Sequence, residues 1–74
     1  MGMALDMTKK EMVEEIMLNS SISDNQRARF YAHLDKNLNR QTKGWIERCY
    51  GFVMNSENES KKKLNADFVM QWFR

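Results

Sequence analysis

A chain of 74 residues with 12 Lys+Arg against 10 Asp+Glu, 42% hydrophobic and 30% charged, describes one small soluble globular domain. A domain of this size buries only about 60% of the surface its unfolded form exposes, which excludes a second domain and a large enclosed substrate cavity. Cys49 stands alone, excluding an intrachain disulfide, and a net charge of +2 does not signal nucleic-acid binding unless the charges cluster.

No run of about 18 apolar residues is available to span a bilayer, and the N-terminus lacks the apolar stretch of a secretory leader. Met1-Gly2 is followed by Asp6 where a myristoylation signal needs Ser or Thr, so lipidation is not expected and a cytoplasmic location is. Residues 1–6 show no apolar periodicity and are expected to fray at the edge of a single domain spanning 1–74.

Proline is absent and the few glycines are Gly2, Gly44 and Gly51, so helical spacing runs with little interruption and the fold class is all-α, a compact three- or four-helix domain. Thr8 and Glu11 have capping-box spacing, Met7 and Met12 that of a hydrophobic staple, and a first helix should run from about Lys9 to Leu18. Met12, Val13, Ile16 and Met17 form its apolar face, away from Glu11, Glu14 and Glu15.

After Asn19-Ser20-Ser21, Ser23 and Gln26 repeat the capping spacing, and a second helix starts at Asp24 with Phe30, Leu34 and Leu38 on one stripe widened by Tyr31. Trp45, Cys49, Phe52 and Val53 continue that period almost in phase, so one long helix and two helices both fit. A break between Asn39 and Thr42, with a third helix from about Lys43 to Met54, fits better because Asn39, Thr42 and Gly44 can cap and restart the chain. Ser56 and Glu59 give a third capping spacing, and a last helix carrying Leu64, Phe68, Val69, Trp72 and Phe73 should reach close to Arg74. The polar stretch from Asn55 to Asn65 is expected to fray.

Catalytic chemistry finds little to work with. His33 lies toward the polar side of its helix while Cys49 sits in the apolar stripe, where a small buried hydrophobe is the expected role. One His and one Cys do not complete a tetrahedral zinc site, no phosphate-binding glycine loop is present, and Glu14 and Glu15 belong to a solvated face. No catalytic residue, metal or cofactor is assigned, and the protein is not expected to be an enzyme.

A basic stripe is more informative. At about 100° per residue, Arg29, His33, Lys36, Arg40 and Lys43 fall close to one direction, with Phe30, Leu34 and Leu38 facing away. Such a face is either ordinary solvated surface or a contact for an acidic protein or a phosphate backbone. Lys61-Lys62-Lys63 spreads over about 200° and reads as solubilising, with loose phosphate contact as the alternative. Trp45, Phe52, Phe68, Trp72 and Phe73 recur at helical spacing and are expected in the core, with Trp72 and Phe73 the ones that would serve as exposed docking anchors.

Ser23-Asp24-Asn25-Gln26, Ala28, Phe30-Tyr31, Asp35, Leu38 and Thr42, with the ending Val69-Met70-Gln71-Trp72-Phe73-Arg74, resemble the central helix and C-terminus of the Hha/YmoA family of small bacterial modulators. The resemblance covers about 24 central residues and the tail. It implies an all-helical, non-enzymatic protein that binds the oligomerisation region of an H-NS-type nucleoid protein and modulates transcriptional silencing. It also implies that Asp35, beside Tyr31, pairs with basic residues of that partner.

The leading expectation is therefore a regulatory protein docking on a larger partner through Tyr31 and Asp35. Two alternatives are direct nucleic-acid binding by the basic stripe and a mobile-element inhibitor that blocks a host enzyme through Trp72 and Phe73. Monomer and homodimer are both open, since no sustained heptad pattern is present.

Overall fold

The computed structural model describes residues 7–73, so the expectations for residues 1–6 and for Arg74 lie outside the described residues. The described chain is all-α: α1 (Lys9–Leu18), α2 (Asp24–Ala32), α3 (Leu34–Asn39), α4 (Lys43–Met54) and α5 (Glu59–Met70), closed by a 3-10 turn over Gln71–Phe73. No described helix is long and apolar enough to cross a membrane.

Local chemistry sets most of the helix starts. Thr8 and Ser23 each accept from the backbone N–H of their N3 residues, Glu11 and Gln26, whose side chains accept in return from the cap backbone. These reciprocal pairs satisfy donors that a helix N-terminus otherwise leaves open. Thr42 Oγ1 accepts from Trp45 N–H and starts α4, so the break expected between Asn39 and Thr42 is present.

A second break was not foreseen. The single helix expected from Asp24 is divided at His33, whose φ of −118° and ψ of 12° leave the helical region, and no side chain caps the restart. His33 N–H reaches back to Phe30 O and Asn37 N–H to His33 O, so the chain tightens at the joint and helical bonding resumes after it.

The last helix begins differently from expectation. Asn58, not Ser56, is its cap, accepting from Lys61 N–H. Ser56 Oγ instead donates to the Val53 carbonyl and accepts from Asn65 Nδ2, so it closes α4 and ties that end to α5. Helical structure from Glu59 onward also replaces the expected fraying, and Lys61-Lys62-Lys63 belongs to a formed helix in which Lys62 pairs with Glu59 at 3.5 Å.

Helix α1 is the central element, packed against α4, α5 and α3. Its Met12, Val13, Ile16 and Met17 are buried against Phe30, Leu34 and Leu38 of α2–α3, Ile46, Cys49 and Val53 of α4, and Ala66, Val69, Met70 and Phe73 of the C-terminal segment. Each fully buried large apolar side chain contributes about 1.5–3 kcal/mol relative to exposure. Two polar clasps align the pieces: Lys9 Nζ donates to the carbonyls of Leu38 (3.2 Å) and Gln41 (2.6 Å), and Ser21 donates through N–H and Oγ to the two carboxylate oxygens of Asp67 at 2.8 and 2.6 Å.

The aromatic residues correct the expected core. Trp45, Phe52, Phe68 and Trp72 are all exposed, as is Tyr31, while Phe73 is buried. On α4 the buried stripe is Ile46, Cys49 and Val53, which leaves Trp45 and Phe52, each one position earlier than a buried residue, on the flank. On α5 the small side chain of Ala66, with Val69 and Met70, faces the core and admits close helix packing, turning Phe68 and Trp72 outward.

Candidate docking surfaces

Two surfaces emerge from this packing. The first is a groove of about 440 Å³ along the outer side of α2 and α3. Its apolar lining comes from Ile22, Phe30 and Phe73, and its basic lining from Arg29, His33, Lys36 and Arg40, with the amides of Gln26 and Asn37 completing it. Among the described residues no carboxylate lines it.

Helix register explains the basic rim. Positions 29, 33, 36 and 40 follow the i, i+4, i+7, i+11 spacing of one helical face, and the joint at His33 preserves that register. The opposite wall is supplied by the C-terminal turn, where Asn37 Nδ2 donates to the Phe73 carbonyl at 2.6 Å. Burial of the Phe73 ring, which is only 1% exposed, pins that turn to α3. Arg29, Lys36 and Arg40 make no ion pair with any carboxylate among the described residues. Lys43, expected on the same stripe, opens α4 and does not line the groove, because the chain turns at Arg40–Thr42.

The second surface is a row of exposed aromatic rings. Trp45 meets Trp72 edge-on with centroids 6.4 Å apart and planes at 88°, Trp72 meets Phe68 at 6.4 Å and 82°, and Phe68 meets Phe52 at 6.3 Å and 60°. The two pairs made by Trp72 are the edge-to-face arrangements that aromatic quadrupoles favour, and the Phe52–Phe68 pair is tilted. Of the two C-terminal rings, Trp72 is exposed, at 54%, and Phe73 is not. The 3-10 turn points neighbouring rings in different directions, one into the row and one into the core.

Tyr31 and Asp35 are four positions apart and both exposed, yet Tyr31 does not pair with Asp35. Its hydroxyl donates to Glu14 of α1 at 3.0 Å. Partial burial of the phenol, and then the Glu14 carboxylate, push its pKa above the usual value, with Arg27 opposing. The residue that sequence reasoning missed here is Glu14, whose side chain meets Tyr31 only when the fold brings α1 and α2 together.

Cys49 is buried in the core, and burial pushes its thiol pKa up, opposite to what a nucleophile needs. Among the described residues no group of three or more His, Cys, Asp and Glu could hold a metal ion. Compared with known families, curated proteins and solved structures, the chain matches no family model, no curated protein and no solved structure.

Proposed function

We propose that this is a small non-enzymatic binding protein that docks on a larger protein partner and thereby modulates transcription. The observation that carries the docking reading is the aromatic row Trp45, Trp72, Phe68 and Phe52, four large rings held in mutual contact on the outside of so small a domain. Contiguous exposed apolar surface of this kind marks interaction sites, and Trp is among the residues most enriched at energetic hot spots. The raised thiol pKa of Cys49 supports a non-catalytic role.

The resemblance of residues 23–46 and of the tail to Hha/YmoA proteins supplies the partner to test first, an H-NS-type nucleoid protein. Asp35 is exposed on α3 and makes no ion pair among the described residues, which leaves its carboxylate available for basic groups of that partner. The same aromatic row also serves the inhibitor reading, in which the captured partner is a host enzyme.

The experiment is capture from a bacterial lysate on the tagged protein, with and without nuclease, followed by direct titration of the partner found. A nuclease-resistant nucleoid protein, weakened by Asp35→Ala and lost with Phe68→Ser plus Trp72→Ser while helical circular dichroism is intact, is the expected result. Capture that disappears on nuclease treatment overturns protein docking in favour of nucleic acid, and a nuclease-resistant enzyme overturns the nucleoid assignment.

A further inference from the structure

The groove between α2–α3 and the C-terminal turn is separate in chemistry from the aromatic row. We infer that it is a binding site for an acidic amphipathic helix of a protein partner. That helix would lay carboxylates spaced i, i+4, i+7 and i+11 along Arg29, His33, Lys36 and Arg40, and set an apolar side chain against Ile22 and the exposed edge of Phe30. The inference rests on the docking reading above and names a second face and the chemistry that face selects.

Charge comes first. Among the described residues the lining carries arginine, lysine and histidine and no carboxylate, so its field favours an anion, and an uncharged or basic segment gains nothing there. Spacing comes second. The four basic positions cover about 16 Å of helix at about 1.5 Å of rise per residue, which is three turns of a partner helix and matches the anchor spacing of helix-in-groove recognition.

The floor distinguishes a peptide from a nucleic acid. Phe30 and Phe73 are 8% and 1% exposed, so neither offers a free ring face on which a base could stack. The exposed rings are Tyr31 and those of the aromatic row, and none of them lines the groove. A phosphodiester backbone has no apolar group to place against Ile22 and the edge of Phe30, whereas an amphipathic helix has one every three or four residues.

The test uses the full chain and a fluorescein-labelled synthetic helix of 18 residues, with Glu at the i, i+4, i+7 and i+11 positions, Leu on the adjoining face and Ala and Gln elsewhere. Fluorescence anisotropy should show saturable binding that weakens with salt. A peptide of the same composition with its Glu residues out of register should bind at least tenfold more weakly. Arg29→Glu with Arg40→Glu should lower affinity at least tenfold with circular dichroism unchanged, and a peptide carrying Lys for Glu should bind that variant better than it binds the original protein.

Equal affinity for the two peptides, or no binding of either, overturns the proposal. So does binding of single-stranded or duplex DNA that the same charge reversal abolishes when the peptide is not bound, which assigns the groove to nucleic acid. A dimer in sedimentation that the charge reversal dissociates assigns it to a second copy of the chain. Peptide binding retained by Phe68→Ser plus Trp72→Ser, with lysate capture unaffected by those changes, would refute the aromatic docking surface and leave the groove assignment standing.

Discussion

Replacing Lys9 by Met removes an ammonium group while keeping most of the aliphatic stem, and so isolates two bonds that hold the α3–α4 corner. Lys9 Nζ donates to Leu38 O at 3.2 Å, a carbonyl in the last turn of α3 that also accepts from Gln41 N–H, and to Gln41 O at 2.6 Å, just past the end of that helix. Hydrogen bonds to a charged group contribute about 1.5–3 kcal/mol each when well shielded. Here the second bond is short and the first long, and the side chain is half-buried, so together they come to about 2 kcal/mol, including attraction to the negative end of the helix dipole.

A domain of this length has about 4–11 kcal/mol of total stability, so the loss is large. With a urea m-value of about 1 kcal/mol/M for a small chain, the unfolding midpoint of Lys9→Met should fall by about 2 M, read by far-ultraviolet circular dichroism. Lys10, adjacent and exposed, provides the control: Lys10→Met should stay within about 0.5 kcal/mol of the original protein. Midpoints for the two variants that coincide within that margin would refute the role given to Lys9.

Other outcomes follow from burial and from the perturbed groups. Ile16 is fully buried in the last turn of α1, so Ile16→Ala should cost about 2–5 kcal/mol in urea unfolding. Cys49 is buried with a raised thiol pKa, so its reaction with a thiol-specific chromogenic disulfide at pH 8 should be at least about tenfold slower in the native protein than in urea. In a Tyr50→Phe background, ultraviolet titration should find Tyr31 ionising above its ordinary value, and Glu14→Gln should bring it part of the way back. Because the folded phenol keeps its proton to higher pH than the unfolded one, its contribution to stability is complete below about pH 10 and is lost as pH rises through the folded pKa.

What could be read from the chain was set by local chemistry. Thr8, Ser23 and Thr42 cap the helices their spacing implies, because a cap involves only the next three residues. Ser56 has the same local credentials but is drawn to Val53 and Asn65, a tertiary preference that hands the cap to Asn58. The core of α1 was legible because its apolar residues leave one choice of face. In α4 and α5 two apolar stripes compete, Ile46–Cys49–Val53 against Trp45–Phe52 and Ala66–Val69–Met70 against Phe68–Trp72, and only helix packing selects between them. The basic stripe could be found from angular position, but not the concavity, since its far wall is Phe73, brought alongside α3 from the other end of the chain.

Helix α3 has only six residues and an uncapped start. A helix that short has no independent stability in water, so it is held by Leu34 and Leu38 in the core, by Lys9 at its end and by Asn37 against the C-terminal turn. Local opening of the molecule should therefore begin there, at a free energy well below that of global unfolding. Lys36 belongs to this loosely rooted segment and Arg40 caps its end, whereas Arg29 stands on the capped helix α2. An anion gripping both ends of the groove would then reorganise the protein's own ensemble, suppressing the opened states of residues 34–40 more than those of α1, and part of its binding free energy would be spent as conformational entropy.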